Sequence, residues 1–336
     1  MNGPIWISEQ DVVALMSLPE AVDALRTGLR EEAAGQAKNM VKTHTAWGGH
    51  STMHAIGAVF EGKGVAGTKV WAHTAGGAMP LLILIDSADG SVLAVIEAFA
   101  LGQMRTGGIS GLATDLMAKA DAKCMAMIGA GKQSLAQIAA VAAVRSLDRV
   151  AIWSPTAERR ERLAEQARAV FDLRIVAATT LEEALEAADV ITLATRATTP
   201  FLTSDMLSSG VHVNAVGAIT PERAEFETAL IARATIIAAD SPPQVRKLSH
   251  EFMEAFGDDE QAWARVLPLS SLVAGDARRP VDTDLTIFKA MGMGISDLSL
   301  GLALLNGARA SGLGRKLPRP TPANPRLTAH PLKEIA

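Results

Sequence analysis

Between residues 120 and 240, short apolar runs alternate with longer stretches of helical periodicity, and this alternation constrains the fold more than any other feature. The stretches between the early runs have amphipathic spacing: Ser134–Ser146, Thr156–Phe171 and Leu181–Ala188. Strands separated by helices of this length form βαβ units, in which the strands pair in parallel. The segment therefore predicts a doubly wound α/β domain. Its predicted strands are Ala126–Ile128, Val150–Trp153, Ile175–Ala177, Val190–Ala194, Val211–Val216 and Thr235–Ala239.

The flanking segments have a different pattern. Gln10–Ala37 has helical periodicity, with Ser8 as a candidate N-cap and Pro19 dividing it into two pieces. Leu101–Ala118 is also helical, and a long apolar stretch spans Leu285–Leu313. We expect the C-terminal helix to return to the N-terminal domain and make that domain discontinuous. Between the helical pieces, glycine-containing turns separate four apolar segments that predict a mostly antiparallel sheet: Met53–Phe60, Gly67–His73, Leu81–Asp86 and Ser91–Ala98.

Composition and charge exclude several classes of protein. Hydrophobic residues make up 49% of the chain, enough for a buried core, and aromatic residues only 4%. The net charge is −4, and no run of five basic residues occurs, so we do not expect nucleic-acid binding. The single cysteine, Cys124, excludes a disulfide framework or an iron–sulfur cluster.

The sequence shows no signal peptide and no apolar stretch of the roughly 18–20 residues that a membrane span requires. We therefore expect a soluble, cytoplasmic protein with no membrane contact.

The segment Met127–Ser134 (Met-Ile-Gly-Ala-Gly-Lys-Gln-Ser) ends the first predicted parallel strand and begins the next helix. This is the context of a dinucleotide phosphate loop, G-x-G-x-x-G/A, with Ser134 as the small third residue. Gly129 permits the tight turn, and Gly131 lets the backbone approach a pyrophosphate at the helix N-terminus. Because several later strands agree with this context, we predict a nicotinamide dinucleotide cofactor.

The end of the second predicted strand bears on which dinucleotide is bound. The carboxylate that accepts a hydrogen bond from the ribose 2′-hydroxyl in NAD enzymes is missing here. Ser154, Thr156 and Arg159 stand there instead, and they are suited to bind a 2′-phosphate. The alternative is that Arg159 and Arg160 are solvated helix surface. We predict NADPH as the preferred cofactor, with NADH possible.

Two basic residues are candidates for holding a substrate carboxylate. Arg105 is followed by small residues on a predicted first helical turn, and an arginine grips a carboxylate with two parallel hydrogen bonds. Lys69 lies in an apolar strand, where it either faces solvent or is held in a site. His54 and other histidines near Lys69 fit no metal-ligand spacing, and we predict no metal. No G-x-S-x-G segment supports a serine hydrolase.

At these residues the chain resembles the ornithine cyclodeaminase/mu-crystallin family. The resemblance covers nearly the whole chain and lies in the following segments: the Lys69 strand, Gly90 to Gly108 with Met-Arg-Thr-Gly-Gly, Ile128–Ser134, Val213–Gly217, and Phe288–Gly292 with Asp297.

The resemblance implies a homodimer with two domains: a substrate-binding and dimerisation domain of residues 1–118 and 301–336, and a Rossmann domain of residues 119–300. It implies that Arg105 and Lys69 hold the substrate carboxylate, with Lys42 matching a third basic residue of the family. The implied cofactor contacts are Thr106, Gly129, Ala130, Gly131, Gln133, Ser134, Thr195, Val216, Gly217 and Ala218, beside Ser154, Thr156 and Arg159 from the second strand.

One position departs from the family. Its cyclodeaminases and amino-acid dehydrogenases carry an aspartate where this chain has Ile219. Oxidation of an amino acid requires a base that deprotonates the ammonium group, so the missing carboxylate favours the reverse chemistry.

The resemblance and this departure together predict NAD(P)H-dependent reduction of cyclic ketimine carboxylates, with Lys69, His54 or a held water as the proton source. The products would be L-proline and L-pipecolate, from Δ1-pyrroline-2-carboxylate and Δ1-piperideine-2-carboxylate. The alternatives are an ornithine cyclodeaminase or L-alanine dehydrogenase-type enzyme, and a non-catalytic NADPH-binding protein like mu-crystallin.

Overall fold

The computed structural model describes residues 3–49, 51–275 and 279–327. The N-terminal part begins with a short strand and two helices, continues as a sheet, and ends in a long helix. Its elements are β1 (Ile5–Ile7), α1 (Glu9–Leu15), α2 (Leu18–Ala33), β2 (Ala37–Asn39), β3 (Thr43–Trp47), β4 (Ser51–Phe60), β5 (Val65–His73), β6 (Leu81–Asp86), β7 (Val92–Glu97) and α3 (Phe99–Met117).

The middle part alternates strands and helices as the sequence predicts. Its elements are β8 (Cys124–Ile128), α4 (Ser134–Ala142), β9 (Arg149–Trp153), α5 (Ala157–Val170), β10 (Arg174–Ala177), α6 (Leu181–Leu185), β11 (Val190–Leu193), β12 (Val211–Ala215), α7 (Thr228–Arg233), β13 (Ile236–Ala239), α8 (Pro242–Leu248), α9 (His250–Phe256), α10 (Glu260–Trp263), β14 (Val266–Pro268), α11 (Leu269–Ala274) and β15 (Leu285–Lys289). The long helix α12 (Gly294–Ser311) and the two-residue strand β16 (Arg315–Lys316) follow.

The N-terminal strands form one sheet in the order β16-β1-β7-β6-β5-β4-β2, with β3 also paired to β4. Its pairs are antiparallel except β1 with β7, which confirms the mostly antiparallel sheet. Inward-facing residues such as Leu82, Leu84 and Ile96 are buried, and helix α12 packs over β4, β5 and β6 on this face. Residues of the opposite face, such as Ile83 and Val95, are only half-buried.

The second sheet is parallel throughout, in the order β10-β9-β8-β11-β12-β15-β13-β14. The six predicted strands are present. The apolar stretch at Leu285–Leu313 proves to contain both a strand and a helix: β15 inserts between β12 and β13, and α12 follows it. The doubly wound α/β fold beside an α+β part is therefore confirmed.

The predicted N-terminal helical segment, Gln10–Ala37, is helical as two pieces, but it extends past the observed end of α2. Ser8 caps α1 and Pro19 lies in the first turn of α2, as predicted, yet α2 ends at Ala33 and Ala37 begins a strand. Gly35, with φ of +72°, ends the helix because a left-handed backbone there cannot continue it.

Helix α12 packs on α2 and on strands β4, β5 and β6, although more than 200 residues separate it from them in the chain. Gly28 of α2 and Gly294 at the start of α12 permit these close approaches, since a Cβ on either would collide with the opposing element. The domain boundaries given above stay a prediction, and its last residues, 328–336, lie outside the described part of the chain.

No helix within the described ranges is both long enough and apolar enough to cross a membrane.

Helices α3 and α4 contact each other closely at two glycines of α3. A Cβ on Gly111 would lie 2.6 Å from the carbonyl oxygen of Ala140, and one on Gly107 would lie 2.7 Å from that of Ala136. Gly102, nearer the start of α3, has no heavy atom within 4 Å of its Cβ position.

We therefore expect Gly111→Ala to lower the free energy of unfolding by about 1–3 kcal/mol, because the methyl group forces the two helices apart. Gly102→Ala is the matched control, and it should leave stability unchanged or raise it by up to about 1 kcal/mol, since alanine favours a helix. Urea denaturation of both variants measures the difference. Equal stabilisation by both substitutions would show that the α3–α4 contact adapts freely.

Candidate active site

A cleft of about 1350 Å³ lies where the carboxyl ends of the parallel strands face the antiparallel sheet. Its walls include residues that follow β8, β9, β11 and β12, together with Ile56 of β4 and Trp71 of β5. Ligands of doubly wound folds bind outside the carboxyl ends of the strands, so this cleft is the expected place for a cofactor.

The glycine loop after β8 has the geometry of a phosphate cradle. Gly129 has a φ of +114°, and its N–H donates to the carbonyl of Trp153 at 2.8 Å. A Cβ on Gly131 would meet nothing within 4 Å, so its backbone borders open space. The loop is closed by Ser134, whose hydroxyl donates to Gly129 and accepts from the Gly131 N–H, both at 3.0 Å. This open backbone at the start of a nine-residue helix fits a dinucleotide pyrophosphate.

The predicted loop residues divide into two groups. Gly129, Ala130, Gly131 and Gln133 line the cleft, whereas Ser134 is buried and holds the loop from behind.

The loop after β9 presents hydroxyl groups and guanidinium groups to the cleft. Ser154, Thr156 and Arg159 all line it, and so does Arg162 one turn further along α5, which the sequence analysis did not single out. Arg160 turns away and donates to the carbonyl of Ser154 at 3.3 Å. This end of the cleft is cationic and matches the place where the ribose of an adenosine lies in such folds.

The loops after β11 and β12 are tied together by one buried carboxylate, that of Glu225. One carboxylate oxygen accepts from the N–H of Thr195 at 2.7 Å and from its hydroxyl at 2.8 Å. The other accepts from the N–H groups of Gly217 and Ala218 at 2.9 and 3.0 Å. Thr195, Val216 and Gly217 line the cleft, and Ala218 is buried behind them. Glu225 therefore fixes both loops in one arrangement.

Glu225 belongs to a small charged cluster with Lys289 and Glu251, whose side chains are all buried. The Lys289 ammonium donates to the carbonyl of Ala218 at 2.6 Å and lies 3.6 Å from a carboxylate oxygen of Glu251. Burial raises the pKa of Glu225, and the positive charge of Lys289 opposes that rise. No sequence pattern distinguished these three residues, because only the fold brings them together.

On the opposite wall, Arg105 and Lys69 share one carboxylate. The Lys69 ammonium donates to Asp297 of α12, and the Nε of Arg105 lies 3.5 Å from the same oxygen. Arg105 lies in the second turn of α3, one turn later than predicted, because the helix already begins at Phe99. Arg105 lines the cleft, whereas Lys69 is only 4% exposed and lies behind the wall.

Burial lowers the pKa of Lys69 to about 8, with Asp297 acting in the opposite direction and Arg105 adding to the decrease. The sequence alone left open whether Lys69 faces solvent or a site. The structure places it in the interior, beside the cleft.

Lys42 and the loop after β15 complete this wall. Lys42 lines the cleft, and burial followed by the nearby charge of Arg105 lowers its pKa. Asp240 accepts from the N–H groups of Met291 and Gly292, both at 2.8 Å. A Cβ on Gly292 would lie 3.0 Å from a terminal nitrogen of Arg105, so this loop also limits where the guanidinium can go. Gly292 has a φ of +84°, which favours glycine there.

His54 does not line the cleft. Its ring lies between Trp71, at 4.8 Å between centroids, and His44, at 5.6 Å, and its Nε2 is 2.8 Å from the hydroxyl of Thr52. Burial and then the charge of Lys42 lower its pKa.

Ile219, by contrast, lines the cleft as the sequence predicts. Among the described residues, no group of three histidine, cysteine, aspartate or glutamate side chains is arranged to hold a metal.

Comparison with known proteins agrees with this geometry. The sequence profile of the ornithine cyclodeaminase/mu-crystallin family matches residues 5–310. A Delta(1)-pyrroline-2-carboxylate reductase of Bacillus cereus is 31% identical over 239 residues, which are 70% of this chain and 73% of that protein. The iminosuccinate reductase of Paracoccus denitrificans is 28% identical over 93% of this chain and 98% of its own length.

Two solved structures share the fold over most of their length. The Delta(1)-pyrroline-2-carboxylate reductase of Thermococcus litoralis, solved with NADH and L-proline, superimposes with a TM-score of 0.86 at 24% identity, covering 93% of this chain and 100% of that one. The Paracoccus denitrificans iminosuccinate reductase, solved with NAD+, gives 0.85 at 25% identity, over 94% and 99%. By sequence and by fold, the chain belongs to the ornithine cyclodeaminase/mu-crystallin family.

Proposed function

We propose that this protein is an NAD(P)H-dependent reductase of 2-imino carboxylates. Its substrates include the cyclic ketimines Δ1-pyrroline-2-carboxylate and Δ1-piperideine-2-carboxylate, which it reduces to L-proline and L-pipecolate. The observation that carries the proposal is the arginine clamp at Arg105, which faces the same cleft as the glycine loop. The Bacillus cereus and Paracoccus denitrificans relatives are named for reductions of this class, which supports the proposal.

In this proposal Arg105 and Lys42 hold the substrate carboxylate. Asp297 and the Gly292 loop fix the guanidinium from two sides, so it is oriented before the substrate arrives. When bound, a reduced nicotinamide supplies a hydride to C2 of the imine. Thr195, Val216 and Gly217, held by Glu225, line the nicotinamide side of the cleft. Holding the two reactants in line is the main catalytic task of these residues.

Lys69 is the proton source that we propose for the imine nitrogen. Its ammonium lies 5.2 Å from the centroid of the Trp71 ring, and that ring forms part of the cleft wall. A pKa of about 8 keeps the ammonium charged at neutral pH and makes it a better acid than an ordinary lysine. His54 is less suited, because burial and the charge of Lys42 lower the pKa of its imidazole, which is therefore uncharged at neutral pH.

Ile219 favours reduction over the alternatives within the family. An isoleucine in the cleft wall suits a methylene ring and offers no base for an amino-acid substrate, which disfavours a cyclodeaminase or an L-alanine dehydrogenase-type enzyme. A non-catalytic NADPH-binding protein would not need the paired Lys69 and Asp297 beside the clamp, although it would need the glycine loop.

We also propose NADPH as the preferred cofactor, with NADH accepted less well. Arg159 and Arg162 support this preference, because both face the adenosine end of the cleft and no described carboxylate lines that end.

The half-exposed apolar face of the antiparallel sheet, with Ile83 and Val95, supports a homodimer that covers this face. The molar mass in solution, from light scattering, tests this assembly: a mass near that of one 35.2 kDa chain would contradict it.

The proposed activity predicts rapid NADPH oxidation with either cyclic ketimine, followed at 340 nm. Arg105→Ala should raise KM for the ketimine at least tenfold, because the carboxylate loses its two hydrogen bonds, while the Kd of NADPH from fluorescence titration stays nearly unchanged. Loss of NADPH affinity in this variant would contradict the clamp, and NADPH binding without turnover of any imine would favour the non-catalytic alternative.

The proposal that Lys69 is the proton source predicts how kcat/KM depends on pH. An acid with a pKa of about 8 is charged below that pH, so kcat/KM should fall as pH rises through about 8. In Asp297→Asn the charge that raises the pKa of Lys69 is gone, and the fall should therefore begin at lower pH. Asp284→Asn, in an ion pair with Arg233 away from the cleft, is the control that should keep the wild-type profile. A profile unchanged in Asp297→Asn would exclude Lys69 as the acid.

The cofactor preference predicts that Arg159→Ala and Arg162→Ala each weaken NADPH binding about tenfold and leave NADH binding almost unchanged, because only NADPH carries the 2′-phosphate. Arg168→Ala on the same helix is the control, since that side chain donates to the carbonyl of Ile175 and lies outside the cleft. Titration with both nucleotides measures the ratio, and an equal loss for NADH would show that these arginines do not contact the 2′-phosphate.

A further inference from the structure

The segment Val216–Ile219, which follows β12, packs against the loop after β11 and, through that loop, against the glycine loop. A Cβ on Gly217 would collide with the backbone of Thr195, so the two loops are in direct contact. A Cβ on Gly129 would in turn lie 2.5 Å from the carbonyl oxygen of Ala194 and 3.4 Å from Cγ2 of Thr195. The segment therefore lies one loop away from the place proposed for the pyrophosphate.

The other side of this segment faces the arginine clamp. The N–H of Ala290 donates to the carbonyl of Ala215, the residue before the segment, at 3.0 Å. Gly292 lies two residues further along, and a Cβ on it would lie 3.0 Å from a terminal nitrogen of Arg105. The nicotinamide of a dinucleotide held at the glycine loop has to meet a substrate held at Arg105, so the Val216–Ile219 segment borders its path.

Glu225 sets the direction of two peptide groups in this segment. The N–H groups of Gly217 and Ala218 both point at its buried carboxylate, at 2.9 and 3.0 Å. The described chain has no cis peptide bond, and in a trans peptide the C=O points opposite to the N–H. The carbonyls of Val216 and Gly217 therefore point away from Glu225, towards the cleft that these two residues line.

Lys289 sets the direction of the next peptide group. Its buried ammonium donates to the carbonyl of Ala218 at 2.6 Å. The N–H of Ile219 belongs to the same peptide and therefore points the opposite way, on the side where Ile219 lines the cleft. Within the described residues, the carbonyls of Val216 and Gly217 and the N–H of Ile219 have no hydrogen-bond partner in the backbone. Since backbone polar groups are almost always paired, these three groups are available to a ligand.

A primary carboxamide matches this pattern of two acceptors and one donor, because its NH2 group donates two hydrogen bonds and its oxygen accepts. We infer that Glu225 and Lys289 are positioning residues for the carboxamide of the nicotinamide. The carbonyls of Val216 and Gly217 accept from its NH2 group, and the N–H of Ile219 donates to its oxygen. The inference rests on the nicotinamide cofactor of the proposed function, and it adds what orients the ring towards the arginine clamp.

The ionised carboxylate of Glu225 is essential to this arrangement. All of its hydrogen-bond capacity is used as acceptor, for the N–H and hydroxyl of Thr195 and for the N–H groups of Gly217 and Ala218. In Glu225→Gln, the side-chain NH2 group would face one of these donors and repel it. The peptide groups of the segment would then lose the orientation that turns their carbonyls to the cleft.

The experiment compares the binding of two dinucleotides by calorimetry. The 3-acetylpyridine analogue of NADP+ has a methyl group in place of the carboxamide NH2 and keeps the oxygen. We expect the wild-type protein to bind NADP+ about fivefold more tightly than the analogue, because the analogue leaves the two carbonyls unpaired. In Glu225→Gln the two Kd values should agree within about twofold. Equal Kd values in the wild-type protein, or an unchanged ratio in the variant, would overturn the inference.

Glu251→Gln is the matched control. Glu251 lies in the same buried cluster, but its carboxylate accepts from the N–H of Glu225 and the hydroxyl of Ser249 and from no backbone group of the Val216–Ile219 segment. This variant also removes a buried charge and should keep the preference of about fivefold for NADP+. Loss of the preference in both variants would show that the cluster acts only through stability, which contradicts the inference. Melting temperatures without ligand show whether each variant folds.

Lys289→Met tests the other half of the pattern. Without the ammonium, the carbonyl of Ala218 and with it the N–H of Ile219 are no longer fixed. Both dinucleotides carry the oxygen that this N–H binds, so both Kd values should rise by the same factor of about five. A rise confined to one dinucleotide would contradict the role given to Lys289.

Turnover gives a separate readout of Glu225. With Δ1-pyrroline-2-carboxylate and saturating NADPH, Glu225→Gln should lower kcat about tenfold and leave KM for the ketimine nearly unchanged, because the ring is misaligned while the clamp is intact. A change confined to KM would place Glu225 on the substrate side instead. Ketimine reduction without discrimination between NADP+ and its analogue overturns only this inference. Discrimination that depends on Glu225, with no oxidation of NADPH by any imine, overturns the proposed reaction and retains the carboxamide site.

Discussion

The wall of the cleft to which we assign the substrate depends on one buried carboxylate, Asp297, and the two cations beside it. Lys69 comes from the antiparallel sheet, Arg105 from helix α3, and Asp297 from helix α12, so the ion cluster joins three elements that are distant in the chain. Charges buried this deeply are costly unless they are paired, and losing one partner of such a pair typically costs about 3–5 kcal/mol. These contacts therefore also hold helix α12 in place against the antiparallel sheet and helix α3.

The opposite wall of the cleft, formed by the loops after β11 and β12, is also organised by a buried carboxylate. There a buried carboxylate, Glu225, binds backbone N–H groups of two loops, and Lys289 beneath it binds the carbonyl of Ala218. In both walls, residues that line the cleft are held from behind by buried charged groups. Such prearranged walls reduce the ordering that binding would otherwise require.

The sequence predicted local features better than long-range ones. The glycine loop, the strand–helix alternation and the cap at Ser8 are each encoded within a few residues, and the structure confirms them. Lys69 could not be placed, because its partner Asp297 lies 228 residues away and nothing in either local pattern indicates the contact. The predicted roles of the site residues stay predictions.

The position of helix α12 has a consequence for the order in which the molecule is completed during synthesis. The glycine loop and strands β8 to β12 emerge from the ribosome well before Asp297, and β15 and α12 are needed to fill the second sheet and to cover the first. Domains form from the N-terminal end as they are synthesised, yet here the first sheet must wait for one of the last elements of the chain. A nascent chain that stops before residue 290 therefore has the glycine loop but lacks Asp297, the carboxylate that contacts Lys69 and Arg105. The wall that contains these three residues is thus the last part of the cleft to be completed.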